Sequence, residues 1–304
     1  MEVFDLHCDT LYKAMMKDST IDSQDYEFRV KDLFSSSRWK QCMAVWTPDD
    51  VSELPKKFQD KPLIDYFIAS AENLIGECKR LKIPFNDINA DKSLLLTVEN
   101  SSILDNDISN IDILQKYGVK IATLTWNECN CIGDGAMVEN PVGATKFGKS
   151  VIREYIKRNI AIDTSHTSDA LFYDIASENP KHILASHSNS RKICNHKRNL
   201  TDEQFCYIRD NRGIVGINLH KDFLKNDGNP EIKDILNHIY HFLSLGGEDV
   251  VALGTDFDGA DIIEEIPSSG YFYRLYNSLL ENNFEKSVVD KIFYKNALEF
   301  YDKL

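Results

Sequence analysis

Eight short apolar runs, separated by longer stretches of helical period, limit most sharply what this chain can fold into. The runs are Val3–Leu6, Cys42–Trp46, Leu94–Val98, Ile121–Thr125, Ala161–Asp163, Ile183–Ala185, Ile214–Asn218 and Val250–Gly254. Most are continuously hydrophobic rather than alternating, as strands covered on both faces are. The clearest helical stretch is 63–82, where Phe67, Ile68, Ala71, Leu74, Ile75, Cys78 and Leu81 recur every three or four residues and form one apolar face. Others fall at 108–116, 144–158, 168–177, 201–211, 231–245 and 286–303. Thr201-Asp202-Glu203-Gln204 reads as a helix cap followed by an acidic first turn. This alternation predicts a parallel (β/α)8 TIM-type barrel; a doubly wound open sheet would show the same alternation. The 304 residues suit a single catalytic barrel domain spanning 1–304.

Composition narrows the function classes. A net charge of −13 repels phosphate backbones and anionic lipid, which argues against nucleic-acid and membrane partners. Seven cysteines, with no CxxC pair, read neither as a disulfide framework nor as a cysteine zinc site. Cys42, Cys78, Cys194 and Cys206 lie in apolar contexts and are expected as small buried hydrophobes in a reducing compartment. The first residues lack a basic segment and a long apolar run, and no apolar stretch reaches membrane-spanning length. A cytoplasmic location is the expectation. Two long loops, Thr47–Pro62 and 127–146, are expected to serve function.

In a barrel the active site forms where strands end, so residues distant in sequence converge at the C-terminal mouth. His7 and Asp9 end the first run and Glu99 the third; Trp126 and Asn127 end the fourth. His166, His187 and His220 follow the fifth, sixth and seventh, and Asp256 and Asp258 follow the eighth in GTDFDG. His7, Asp9, Glu99, His166 and His187 together offer three imidazoles and two carboxylates, a suitable shell for two zinc ions. His7 and Asp9, two apart at a strand end, point to one side and can share an ion, while Cys8 packs behind them. Glu99 has two oxygens and can bridge two ions, which would together activate a water.

The segments FDLHCDT, LLLTVENS, ATLTWNECN, AIDTSHTS, ILASHSNSRKICNHKRNLTDEQ and LGTDFDG cover nearly the whole chain. They resemble the renal, or membrane, dipeptidase family of zinc peptidases. The resemblance implies two Zn2+ per chain, one held by His7 and Asp9, the other by His166 and His187, with Glu99 bridging. It implies that Arg198 binds the substrate's C-terminal carboxylate, for which a guanidinium fork is well suited. It also implies that Asp256 carries the proton near a metal-bridging hydroxide, while Asp258 and Gly259 shape the turn. A dipeptide substrate, tolerance of a C-terminal D-residue and a homodimer follow from the same resemblance. Trp126 stands where animal members carry a substrate-contacting histidine, and His220 where the family often has tyrosine. With Asn127, both are expected to line the pocket, and the chain resembles the soluble bacterial-type members. Fold does not fix substrate, so an N-acyl amino acid deacylase, a lactamase, a deaminase or a non-catalytic binding protein on this barrel stays open.

Overall fold

The computed structural model describes all 304 residues. Its strands are β1 (Val3–Asp5), β2 (Trp39–Trp46), β3 (Lys92–Glu99), β4 (Ile121–Thr123), β5 (Ala161–Asp163), β6 (Ile183–Ala185), β7 (Ile214–Ile217) and β8 (Val251–Leu253). They pair in parallel, in sequential order, and β8 closes back on β1 through Asp5 and Leu253. The closed barrel decides against the open sheet. All eight expected runs lie on strands, but the bounds shift. β2 begins three residues earlier than its apolar run because Lys40 and Gln41 are buried with partners. Gln41 donates to Asp5 at 2.9 Å, and the Lys40 ammonium donates to the carbonyls of Asp87 and Ala90. Polar residues join a buried strand when their hydrogen bonds are met, which hydropathy alone does not register.

Side chains alternate across the strands. Leu94, Leu96 and Val98 of β3 face the helix layer, while Leu95 points into the barrel. Phe4, Cys42, Leu95, Ile121, Ala161, Leu184, Ile214 and Ala252 fill the bottom of the barrel. Tyr294, Ala297, Phe300 and Tyr301 of the last helix pack beneath them as a plug. The expected 286–303 helix is made of Lys286–Asp290 and Asn296–Tyr301 joined by a π turn over Lys291–Lys295. Asn296 ties the plug to the barrel by donating to the carbonyls of Glu248 and Val251.

The other expected helices form within a few residues of their predicted bounds, and Thr201 and Gln204 make a reciprocal capping box. Helices at Thr10–Lys17, Val30–Ser35 and Phe272–Glu281 were not expected. The first is only eight residues long, too short for its period to stand out, and follows the site residues directly. Cysteine usage needs one correction. Cys42, Cys78 and Cys194 are buried, but Cys206 is half-buried because it lies on the outer helix layer at the edge of the core. No helix is long and apolar enough to cross a membrane.

Candidate active site

β1, β3, β5 and β6 end at the same mouth, and their sequence-predicted side chains meet there. Glu99 lies at the centre. Its Oε2 is 3.4 Å from His7 Nε2, while its Oε1 is 2.9 Å from His166 Nε2 and 3.6 Å from His187 Nε2. His7 Nε2 lies 3.2 Å from Asp9 Oδ2, and His166 Nε2 is 3.0 Å from His187 Nε2. All five side chains are buried.

The neighbours of the imidazoles set their tautomers. His166 Nδ1 is 3.0 Å from Asn127 Oδ1, an acceptor, so Nδ1 carries the proton and Nε2 presents a lone pair. His187 Nδ1 is 2.7 Å from the Ser186 hydroxyl, which can donate or accept, so the geometry admits a lone pair at Nε2. Two imidazole nitrogens and a carboxylate oxygen thus converge at one point, and Asp9 Oδ1 is buried without a partner. Such a ligand set suits divalent cations of borderline softness.

Burial governs the protonation of the centre. It holds His166 and His187 well below the usual imidazole range, aided by the charge of Arg198, and so keeps both neutral as ligands. Burial opposes a charge on His7, but Glu99 and Asp9 beside it outweigh that and push its pKa up. Burial also drives Glu99 up to about 8, with Asp9 reinforcing the shift, and raises Asp256. A dication between these groups would reverse the pressure on the carboxylates.

The backbone contributes strain. His166, Asp256 and Asp258 have φ of 70°, 64° and 68°, in the left-handed region that costs a non-glycine residue ~1–2 kcal/mol. Asp256 and Asp258 then diverge. Asp256 Oδ1 approaches His7 Nε2 at 3.9 Å, while its Oδ2 accepts from Asn218 Nδ2 at 2.9 Å. Asp258 turns away and accepts from Thr10 Oγ1 at 2.6 Å and from the backbone amides of Glu27 and Phe28. Its part is to fasten the turn to the N-terminal segment. Gly259 is required by close approach: a Cβ there would lie 2.1 Å from Asp9 Oδ2.

Above the centre opens a cavity of about 310 Å³. Trp126, Asn127 and His220 line it, as expected from the sequence. His220 Nδ1 lies 3.0 Å from the Asp261 carbonyl, and its ring packs on Phe223. Arg198 is in a different position: it lies behind the lining, 4% exposed, with its guanidinium 5.3 Å over the Phe223 ring. Its Nε has no partner, and its terminal nitrogens reach Ser188 Oγ and the His187 carbonyl only at 3.5 Å. Burial lowers its pKa to about 10, still charged at neutral pH. The 127–146 loop is braced both against the end of β3 and from within. Asn130 Nδ2 donates to Asn100 Oδ1 at 2.8 Å, and Asp134 Oδ2 accepts the amides of Val142 and Gly143.

Several site residues had no signal in the sequence. Asn218 closes a run that hydropathy marks only as a strand, yet it donates both to Asp256 and, at 3.2 Å, to the His187 carbonyl. Ser186 differs little from any strand-end serine. Tyr12, Trp46 and Glu53 also line the cavity, from the unexpected first helix, from a strand and from a loop.

A closed barrel with three imidazoles and two carboxylates converging at its C-terminal mouth is the architecture of a metal-dependent hydrolase. Comparison with known proteins narrows the class. The model of the membrane dipeptidase family, peptidase family M19, matches residues 1–303. An uncharacterized protein from the pqqA 5′ region of Klebsiella pneumoniae is 32% identical over 220 residues, 68% of this chain and 81% of its own. Dipeptidase 3 of Macaca fascicularis is 25% identical over 262 residues, 82% of this chain and 52% of its own, so the chain spans about half the length of that relative. The crystal structure of a metallopeptidase from Rhodobacter sphaeroides, liganded with a phosphinate mimic of L-Ala-D-Ala, has the same fold, with a TM-score of 0.88 at 20% identity and 99% of each chain covered. The chain belongs to the membrane dipeptidase family and is a hydrolase of the metallo-dipeptidase type.

Proposed function

We propose that this chain is a two-zinc dipeptidase, with His7 and Asp9 holding one ion, His166 and His187 the other, and Glu99 joining them. The observation that carries the reading is the division of Glu99: one oxygen faces His7 and the other faces His166 and His187. Bound there, the two ions would supply an activated water at neutral pH and polarise the scissile carbonyl.

The chain's own groups account for the rest. Asp256 is the proton carrier. Its Oδ1 faces the centre while Asn218 holds Oδ2, so one oxygen is free to take a proton from the water and pass it to the leaving amine. Arg198 is the anchor for the substrate's carboxylate. A buried, charged guanidinium with an unpartnered Nε and only long contacts is prepared for an anion. Trp126, Asn127 and His220 shape the space between these two points. The substrate is a dipeptide, and a D-residue is tolerated at its C-terminal position. That tolerance is supported by the L-Ala-D-Ala mimic bound to the Rhodobacter relative.

The test pairs metal analysis with a substrate panel. Purified protein is expected to hold about two zinc ions per chain and to cleave L-L and L-D dipeptides in preference to N-acetyl amino acids. Hydrolysis of N-acyl amino acids but not dipeptides would replace this reading with a deacylase, and failure to retain metal would remove the two-ion centre.

A further inference from the structure

The cavity is lined by five carboxylates and by no lysine or arginine. Four of the five are committed. Asp9 and Glu99 face His7, Asp256 accepts from Asn218, and Asp258 accepts from Thr10 and two backbone amides. Glu53 alone makes no hydrogen bond or ion pair through its carboxylate; its contacts run through its backbone, whose carbonyl accepts from Tyr12 Oη at 3.1 Å.

Glu53 nevertheless stands on a built turn. Asp50 Oδ1 accepts the Ser52 amide at 2.8 Å, and Gln59 Nε2 donates to the carbonyls of Ser52 and Leu54 at 2.7 and 2.8 Å. Leu54, the next residue, is buried in the core. The exposed Glu53 side chain is therefore held at the rim of the cavity. Below it runs an aromatic wall: Tyr12 and Trp46 meet edge to face at 4.6 Å, as do Trp46 and Trp126 at 5.0 Å.

This wall rises from the ends of β1, β2 and β4. Arg198 and Phe223 follow β6 and β7, on the opposite half of the closed barrel. A dipeptide anchored by its carboxylate at Arg198 must direct its N-terminal residue across the centre to the aromatic half. Its α-ammonium stays on the floor, one carbon from the scissile carbonyl. Only a long side chain reaches the rim.

We infer that the pocket selects dipeptides whose N-terminal residue ends in a cation, lysyl or arginyl, with the aliphatic stem along Tyr12, Trp46 and Trp126 and the charge at Glu53. Aromatic faces and a carboxylate both favour a cation, and neither Glu53 nor the rings of Tyr12, Trp46 and Trp126 is paired with a protein cation. Glu53 is a specificity-determining residue in this arrangement, which rests on the dipeptidase reading.

The experiment compares L-Lys-L-Ala, L-Leu-L-Ala and L-Glu-L-Ala on zinc-loaded protein. The ratio of kcat/KM for Lys-Ala over Leu-Ala is expected to fall about three- to fivefold in Glu53→Gln, mainly through KM, as for an exposed ion pair. In Glu53→Lys the ratio of Lys-Ala over Glu-Ala is expected to fall about tenfold, and high salt should compress both changes. Unchanged ratios in both variants, with the dipeptides still cleaved, overturn the inference alone. Failure of the wild-type protein to cleave any of the three overturns the dipeptidase reading, and the inference with it.

Discussion

In the proposed centre a single carboxylate, Glu99, divides the other candidate ligands, and variants of its neighbours are expected to separate holding metal from moving protons. His187→Ala removes one of the two lone pairs facing Glu99 Oε1. It is expected to lose bound zinc and to lower kcat on the order of 10³-fold or more. Asp256→Asn keeps the hydrogen-bonding shape but cannot carry the proton. Zinc content should stay at the wild-type level while kcat falls about 10²–10⁴-fold. Elemental analysis beside steady-state kinetics reads both. Gly259→Ala is predicted to behave like a ligand mutant although alanine has no chemistry, because its Cβ would lie 2.1 Å from Asp9 Oδ2. Zinc titration should show weakened binding, and retention of wild-type affinity would refute the close-approach account. At this scale the sequence was informative for residues whose type is rare at strand ends. His7, Asp9, Glu99, His166 and His187 stand out as metal-binding types, and the structure brings them together. Asn218 and Ser186 do not stand out, because amides and hydroxyls end strands everywhere and acquire meaning only from what they touch.

Among the elements, β7 shows how a strand end serves the site without offering it a ligand. Asn218 spans two neighbours, donating to Asp256 from β8 and to the His187 carbonyl from β6. Asn218→Ala leaves a buried carboxylate oxygen and a buried carbonyl without that donor. The expected result is a fall in kcat of about tenfold to a hundredfold with KM little changed, since Asn218 orients Asp256, the proposed proton carrier, and does not line the cavity. A rise in KM with kcat preserved would contradict that positioning role. The eight strands were legible because burial on both faces makes a run continuously apolar. Their limits were less so: Lys40 and Gln41 look unlike strand until their partners are seen. The helices at Thr10–Lys17, Val30–Ser35 and Phe272–Glu281 escaped because short amphipathic segments leave too few periods to read.

For the molecule as a whole, acid stability turns on buried histidines outside the centre. His238 is fully buried on the 232–244 helix; it accepts the Ser190 amide at Nδ1, and its Nε2 faces the Leu224 carbonyl at 3.0 Å. Burial lowers its pKa from 6.5 to about 4. Between those values the unfolded chain takes up a proton that the folded chain refuses, so stability falls as pH drops through that window and is regained above it. The loss approaches ~3 kcal/mol at the acid end. Thermal melts should therefore decline less steeply from pH 7 to pH 4.5 in His238→Gln than in the wild type. Parallel slopes would assign the acid sensitivity to other groups.

The closing of β8 onto β1 has a temporal side. His7 and Asp9 are synthesised about 250 residues before Asp256 and the plug of Tyr294, Phe300 and Tyr301. Until β8 is synthesised, β1 has an unpaired edge, and two of the five proposed metal ligands, His7 and Asp9, directly follow it. In the proposed centre a lone His-x-Asp would hold an ion poorly compared with the finished shell, so the topology places metal loading at or after the closing of the ring.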